Sequence, residues 1–170
     1  MRPGLIAGWL VAIALLAGGC SHYQLGTGGT LTFQRLYIAP VANETELPQA
    51  VALVSTQIRE SLLRDGRVIL VASPDDAEAV LTVTLTQYAR EVATVLPGDT
   101  GLARKFNLNL EARCTLRDLR SGAALFENRI LSSQRQVFTD SGQLQAEYQT
   151  LPLLATALAE SVRNTVLDVW

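Results

Sequence analysis

Histidine and cysteine are almost absent from this 170-residue sequence, which has one histidine and two cysteines. These three side chains are too few for a zinc site or a disulfide framework. The histidine, His22, lies ahead of the first predicted strand, so the folded domain has no place for a histidine-dependent catalytic triad. Neither internal repeats nor low-complexity tracts occur, apart from a short Gly/Thr-rich stretch near the beginning of the chain.

Excess positive charge is also lacking, because 14 basic and 16 acidic residues give a net charge of −2. Generic nucleic-acid binding needs a clustered positive footprint, and the composition therefore excludes it. With 48% hydrophobic residues the chain is too apolar for disorder. Its length suits one self-sufficient core and is too short for two ordinary domains.

The first 34 residues contain a single charge, on Arg2. Met1-Arg2 provides a positive start, Leu5 to Ala17 is an uncharged apolar run, and small residues precede Cys20. This pattern is typical of a secretory signal. Leu16-Ala17-Gly18-Gly19-Cys20 resembles the bacterial lipobox, with Ala17 where Leu is preferred, and so predicts a signal peptide over 1–19 and lipid attachment at Cys20.

Two other interpretations of this segment remain open. Pro3 to Ser21 is a stretch of 19 uncharged residues, which is just long enough for an uncleaved transmembrane anchor. An ordinary signal peptide is the other alternative. For a lipoprotein, Ser21 after the cysteine resembles the proteobacterial sorting pattern for the outer membrane, where Asp at that position would retain the protein in the inner membrane.

The remaining chain is predicted to contain a tether and one domain. Residues 20–30 form the lipidated cysteine and a flexible uncharged tether, and residues 31–170 form a single domain that faces the periplasm. Lipidation of Cys20 leaves Cys114 without a partner in an oxidising compartment. Its position on the apolar side of an alternating run favours a buried, inert thiol over a reactive one.

Hydrophobic periodicity predicts two helices and several strands. The first helix begins near Leu47-Pro48, ends at Asp65-Gly66 and carries an apolar stripe of Leu47, Val51, Val54, Ile58 and Leu62. The second runs along Leu144, Tyr148, Leu151, Ala155, Leu158, Val162, Val166 and Val169. Asp140 and Gln143 resemble a capping box at its start, and Pro152 is expected to kink or restart it.

Alternating residues predict the strands, of which Phe106–Arg117 is the clearest. The alternation of Val80–Tyr88 slips near Tyr88-Ala89, which predicts a bulge or bend there. The other predicted strands are Leu31–Val41, Arg67–Ala72 and Leu125–Phe138. The order of elements indicates an α+β two-layer sandwich, with two helices on one face of a mixed, mainly antiparallel sheet of about four to five strands.

Residue patterns for catalysis or cofactor binding are poor. Asp75, Asp76 and Glu78 are candidate paired carboxylates, but they follow Pro74 and favour a solvated turn or helix start. The glycines at 26, 28 and 29 do not form a phosphate loop, because no strand precedes them and no Lys-Ser/Thr follows. We therefore predict no enzymatic activity, no metal and no cofactor.

Basic residues are concentrated between Arg90 and Arg135, a range that contains eight basic and five acidic residues. Arg113 and Arg117 share the polar side of the clearest strand, and Arg104-Lys105 precede it. Because the guanidinium fork suits phosphate and carboxylate, this face is a candidate contact for an anionic glycolipid. The alternative is a solvated polar face with cross-strand ion pairs.

Three segments resemble the lipopolysaccharide-assembly lipoprotein (LptE) family: Cys20 to Leu25 (CSHYQL), Leu36 to Thr45 (LYIAPVANET) and Asp76 to Val83 (DAEAVLTV). Ser21 stands where that family usually has Gly. The resemblance implies a non-enzymatic partner of a large outer-membrane β-barrel. The protein would sit in the barrel lumen, help the barrel assemble and assist lipopolysaccharide in reaching the outer leaflet.

The family's lipopolysaccharide contacts are basic loop or strand residues, and no motif transfers them to single positions here. The basic region supplies the candidates Arg90, Arg104, Lys105, Arg113 and Arg117. The alternative function is that of another secretion or surface-assembly lipoprotein, of an oligomeric pore or scaffold type, that does not bind lipopolysaccharide.

Overall fold

A computed structural model describes residues 31–92, 105–138 and 143–168. The predicted signal peptide, Cys20 and the tether lie outside these residues, as does Arg104. The elements are β1 (Arg35–Ile38), β2 (Ala42–Asn43), α1 (Pro48–Asp65), β3 (Ile69–Val71), a 3₁₀ turn (Pro74–Asp76), β4 (Ala79–Val92), β5 (Lys105–Asp118), β6 (Ala124–Phe138) and α2 (Gln143–Leu167).

The strands form one mixed sheet with the order β3-β1-β4-β5-β6, and β2 also pairs with β4. β1 pairs in parallel with β3 and β4, as does β2 with β4, while β4-β5 and β5-β6 are antiparallel. Both helices pack on one face of this sheet, which confirms the predicted α+β sandwich. Six strands replace the expected four to five, because the predicted strand Leu31–Val41 ends at Ile38 and β2 follows Pro40.

α1 forms where the sequence predicts it, and its start and end have local causes. Pro48 occupies the first helical turn, where a missing N–H costs nothing. Gly66 closes the helix in the left-handed conformation (φ 78°) and donates its N–H to the Leu62 carbonyl at 3.2 Å. Val54, Ile58 and Leu62 are fully buried, so the predicted stripe faces the core.

A bulge in β4 occurs earlier than predicted. Leu85 pairs with Ala112 but Gln87 pairs with Glu111, so Thr86 is the extra residue. Leu81, Val83 and Leu85 face the helices before the bulge, and Tyr88 takes the same side after it. The slip seen in the sequence at Tyr88-Ala89 is therefore the downstream effect of the inserted Thr86.

The core lies between the helices and the inward side of β4 and β5. On β5, Leu108, Leu110, Ala112, Cys114 and Leu116 are all fully buried, which confirms the alternation predicted for this strand. α2 contributes Leu154, Leu158, Val162 and Val166. This single cluster extends across both helices and the main strands.

α2 departs from the sequence prediction at two positions. The helix continues across Pro152, which neither ends nor restarts it, although a proline there has no N–H for the helical ladder. Tyr148 is 60% exposed and does not belong to the buried stripe. It lies in the first turns of α2, where its ring borders a surface cleft beside Leu47, Tyr88 and Leu151. The capping-box residue Asp140 lies outside the described residues.

Candidate functional site: the open sheet face and its cations

One face of the sheet is left uncovered by every described element, and we call it the open face. It carries the residues of β5 that alternate with the buried ones, and each of these is opposite a partner on β4 or β6. The side chains that β4, β5 and β6 place on this face are mostly neutral and polar: Thr82, Thr84, Gln87, Asn107, Asn109, Thr115, Ser132, Gln134 and Gln136. Such a surface is hydrated and rich in hydrogen-bonding groups.

Arg113 and Arg117 lie on the open face, and each has a carboxylate partner. Arg113 Nη2 is 2.9 Å from Glu44 Oε1, which reaches across from the segment between β2 and α1. Arg117 Nη2 is 2.8 Å from Glu127 Oε1 and its Nη1 donates to the Gly122 carbonyl. Exposed pairs of this kind contribute little stability, so both guanidinium groups can exchange partners with an external anion.

Lys105 begins β5 on the open face, and its ammonium lies 5.5 Å from the centre of the Phe138 ring. Arg117 lies twelve positions further along the same strand, which amounts to about 40 Å. Lys105, Arg113 and Arg117 therefore form a line along the face and do not converge on one pocket.

Arg90 lies on the other side of the sheet. It pairs in register with Leu108, a buried residue, because the bulge at Thr86 reverses the sidedness of the end of β4. Its Nη1 is 2.8 Å from Glu147 Oε1 of α2, and its guanidinium stacks 5.5 Å from the Phe106 ring. The five predicted contacts are thus divided, with Arg90 on the helix side and Arg104 outside the described residues.

Two further cations on β6 were not among the predicted contacts. Arg129 and Arg135 are exposed, and within the described ranges neither has a carboxylate at salt-bridge distance. Arg129 stacks on the Phe126 ring at 4.9 Å. The sequence counts both in the basic region, but only the register of β6 shows that they lie on an edge strand.

The candidate paired carboxylates Asp75, Asp76 and Glu78 have structural positions: two lie in a turn, and the third accepts backbone hydrogen bonds. Ser73 caps the 3₁₀ turn by accepting the Asp75 N–H, which places Asp75 and Asp76 in a solvated turn. Glu78 Oε2 accepts the backbone N–H groups of Gln34 and Arg35, at 2.6 and 3.3 Å, and these bonds hold the pKa of its carboxyl below the ordinary value. Among residues 31–92, 105–138 and 143–168, no group of three potential metal ligands occurs.

Cys114 is buried, as the alternation of β5 predicts. Burial raises the pKa of its thiol to about 12, because the apolar surroundings disfavour the thiolate. The thiolate is the reactive form, so burial and the raised pKa both disfavour reaction of this thiol in the folded protein.

Comparison with known proteins assigns the chain to a family. A family model described as "LptE: Lipopolysaccharide-assembly" matches residues 33–166, which is nearly the whole described domain. The chain belongs to the LptE family. This confirms the family resemblance predicted from the segments 20–25, 36–45 and 76–83. The chain matches no curated protein sequence.

Solved structures of low sequence identity share this LptE fold. A hypothetical protein from Chlamydia trachomatis aligns with a TM-score of 0.58 at 14% identity, covering 80% of this chain and 96% of that one. A minor lipoprotein from Acinetobacter baumannii aligns with a TM-score of 0.53 at 18% identity, covering 80% of this chain and 94% of that one. Lipoprotein B from Nitrosomonas europaea aligns with a TM-score of 0.52 at 18% identity, covering 86% of this chain and 88% of that one.

Membership assigns the chain a general role in lipopolysaccharide assembly, as an outer-membrane lipoprotein of a non-enzymatic family. Within the part of the chain that the structure describes, no helix has the length and apolarity needed to cross a membrane.

Proposed function

We propose that this LptE-family protein is anchored to the outer membrane by lipid on Cys20, after removal of residues 1–19. A tether up to residue 30 then connects the anchor to the domain. The domain, residues 31–170, sits in the lumen of a large β-barrel, helps the barrel assemble and assists the insertion of lipopolysaccharide into the outer leaflet. The observation that carries the proposal is the family match over residues 33–166.

The surface of the domain is consistent with a seat in a barrel lumen. Lumens of large barrels are polar and hydrated, and the open face presents hydroxyl and amide groups in place of a large apolar patch. Its arginines are neutralised by Glu44 and Glu127, so they add no strong field of one sign. The main hydrophobic cluster of the two-layer body lies between the layers.

Photo-crosslinking from two opposite surfaces tests the lumenal seat. Thr82 is exposed on the open face and Thr56 is exposed on α1, so a photoreactive side chain at either position leaves the core intact. A body enclosed by a barrel has neighbours on both sides. We therefore expect both variants of the full-length protein to capture the same large barrel protein in outer membranes, as identified by mass spectrometry.

Several outcomes would contradict this proposal. Capture from only one of the two positions would indicate docking to the outside of a partner. A ring-sized assembly of the chain in detergent, with no barrel, would favour the oligomeric pore or scaffold. The same preparation tests the anchor, because the intact mass should correspond to a chain that begins at acylated Cys20, and an unmodified Met1 terminus would refute it.

A further inference from the structure

β6 is an edge strand, and its outer side is unpaired by any described residue. From Arg129 to Phe138 it runs in unbroken register with β5, whereas the irregularities lie before Arg129. These ten residues span about 34 Å. The outward backbone N–H and C=O groups of such an edge form a template for another extended chain.

The exposed side chains of this segment differ between its two sides. On the helix side only the two arginines are exposed, because Leu131, Ser133 and Val137 are partly or fully buried. On the open-face side, two apolar side chains lie at the ends of the neutral polar run Ser132, Gln134 and Gln136. Arg129 and Arg135 lie opposite the buried Cys114 and Leu108, and hence on the helix side, without a described carboxylate partner. Ile130 and Phe138 lie on the open-face side and are 52% and 59% exposed.

Six other described arginines are ion-paired, namely Arg35, Arg67, Arg90, Arg113, Arg117 and Arg120. Arg59, Arg64 and Arg163 on the helices also lack a carboxylate among the described residues, so Arg129 and Arg135 are distinguished by their place on a strand edge.

We propose that the edge of β6 from Arg129 to Phe138 binds an extended acidic segment of a partner protein, which adds a further strand to the sheet. Backbone hydrogen bonds hold the segment, and alternate side chains select it. Carboxylates on the helix side meet Arg129 and Arg135, and apolar side chains on the other side meet Ile130 and Phe138. A second copy of this chain is disfavoured, because it would place four unpaired arginines along one seam.

This inference does not depend on the proposed barrel, and synthetic peptides test it with the full-length protein in detergent. The probe is a ten-residue end-capped peptide that alternates Glu and Val, and a block peptide of the same composition is its control. We expect the alternating peptide to bind more tightly, as measured by fluorescence polarisation. The double variant Arg129→Gln/Arg135→Gln should weaken its binding roughly tenfold.

The matched control is Arg64→Gln/Arg163→Gln, which removes the same charge from the two helices and should leave peptide binding unchanged. Charge reversal gives a second readout, because the Arg129→Glu/Arg135→Glu variant should prefer a peptide that alternates Lys and Val. Thermal unfolding of each variant verifies that it remains folded.

N-methylation of the peptide tests the strand geometry, because only every second N–H of an added strand faces the edge. Methylation of the alternate N–H groups that face β6 should abolish binding, and methylation of the other alternate set should preserve it. Equal binding by both methylated peptides, or no binding by the alternating peptide, would overturn the inference and leave the two arginines only as guards against edge aggregation. Crosslinking from Thr56 and Thr82 to the barrel is independent of these results.

Discussion

Two carboxylates, those of Glu78 and Asp118, accept backbone N–H groups. Glu78 joins segments that are distant in sequence, and Asp118 acts within a single turn. Glu78 accepts backbone N–H groups from Gln34 and Arg35, and its own N–H donates to the Arg35 carbonyl at 2.9 Å. Asp118 accepts the N–H groups of Ser121 and Arg120 and so closes the turn between β5 and β6. Hydrogen bonds from Ser121 and Arg120 lower the pKa of Asp118. Both residues thus act in the fold as ionised groups.

We expect Glu78→Gln to make the protein less stable at neutral pH, with a loss that shrinks under acid conditions. The pKa of Glu78 is lowered from about 4.5 by its bonds to the Gln34 and Arg35 N–H groups. Its stabilising effect is therefore present above that value and is lost as the pH falls through the lower, folded-state pKa. Urea unfolding midpoints at several pH values from 7 to 3 measure this difference.

Glu60→Gln is the matched control, because that exposed carboxylate accepts from the Gln57 side chain and from no backbone group of the described residues. Its effect on the urea midpoint should be small at every pH. A difference between wild type and Glu78→Gln that stays constant down to pH 3 would contradict the assigned role of the Glu78 carboxylate.

At the scale of the elements, the helices are positioned by apolar stripes and joined by a few polar contacts. α1 and α2 pack against each other and on the same sheet face. Ser61 Oγ of α1 lies 3.4 Å from the Ala159 carbonyl oxygen of α2, and Thr156 Oγ1 of α2 donates to Gln57 Oε1 of α1 at 3.0 Å. The stripes determine which face of each helix is buried, and the polar contacts hold the two helices in register.

Leu158→Ala should destabilise the protein by about 2–5 kcal/mol, because Leu158 is fully buried and its truncation leaves a cavity. Leu153→Ala on the same helix is the matched control. Leu153 is exposed, so the same chemical change there should alter the free energy of unfolding by less than about 0.5 kcal/mol. Chemical denaturation measures both. Similar losses in the two variants would show that the buried side of α2 is assigned incorrectly.

At the scale of the whole molecule, the cations are spread over two sides of the sheet and along its edge. Lys105, Arg113 and Arg117 follow β5 on the open face, Arg90 lies on the helix side, and Arg129 and Arg135 lie on β6. Such a distribution suits an extended anionic ligand or several separate contacts better than one compact phosphate pocket.

If the open face contacts lipopolysaccharide, Arg113→Gln/Arg117→Gln should weaken binding of purified lipopolysaccharide several-fold. The double variant Arg64→Gln/Arg163→Gln removes the same net charge elsewhere and should change binding little. Binding to the immobilised glycolipid at two salt concentrations measures both. Equal weakening by the two double variants would indicate that only overall charge matters, and would count against the open face as the contact surface.

How much the sequence predicts depends on the range of the interactions involved. The stripe of α1, the Gly66 cap and the alternation of β5 follow local periodicity and backbone chemistry, and the structure confirms them. The bulge at Thr86 and the exposure of Tyr148 escape this reasoning, because pairing between strands and packing of helix ends decide them.

The sequence by itself determined the two-layer α+β class, the LptE family and the burial of Cys114, since hydrophobic periodicity and short motifs carry that information. Only the tertiary structure decided which cations share a surface. The bulge moves Arg90 to the helix side, Glu44 reaches Arg113 from 69 positions away, and the strand order leaves Arg129 and Arg135 on an edge. Sidedness and ion pairing depend on register between strands distant in sequence, and no local pattern records that register.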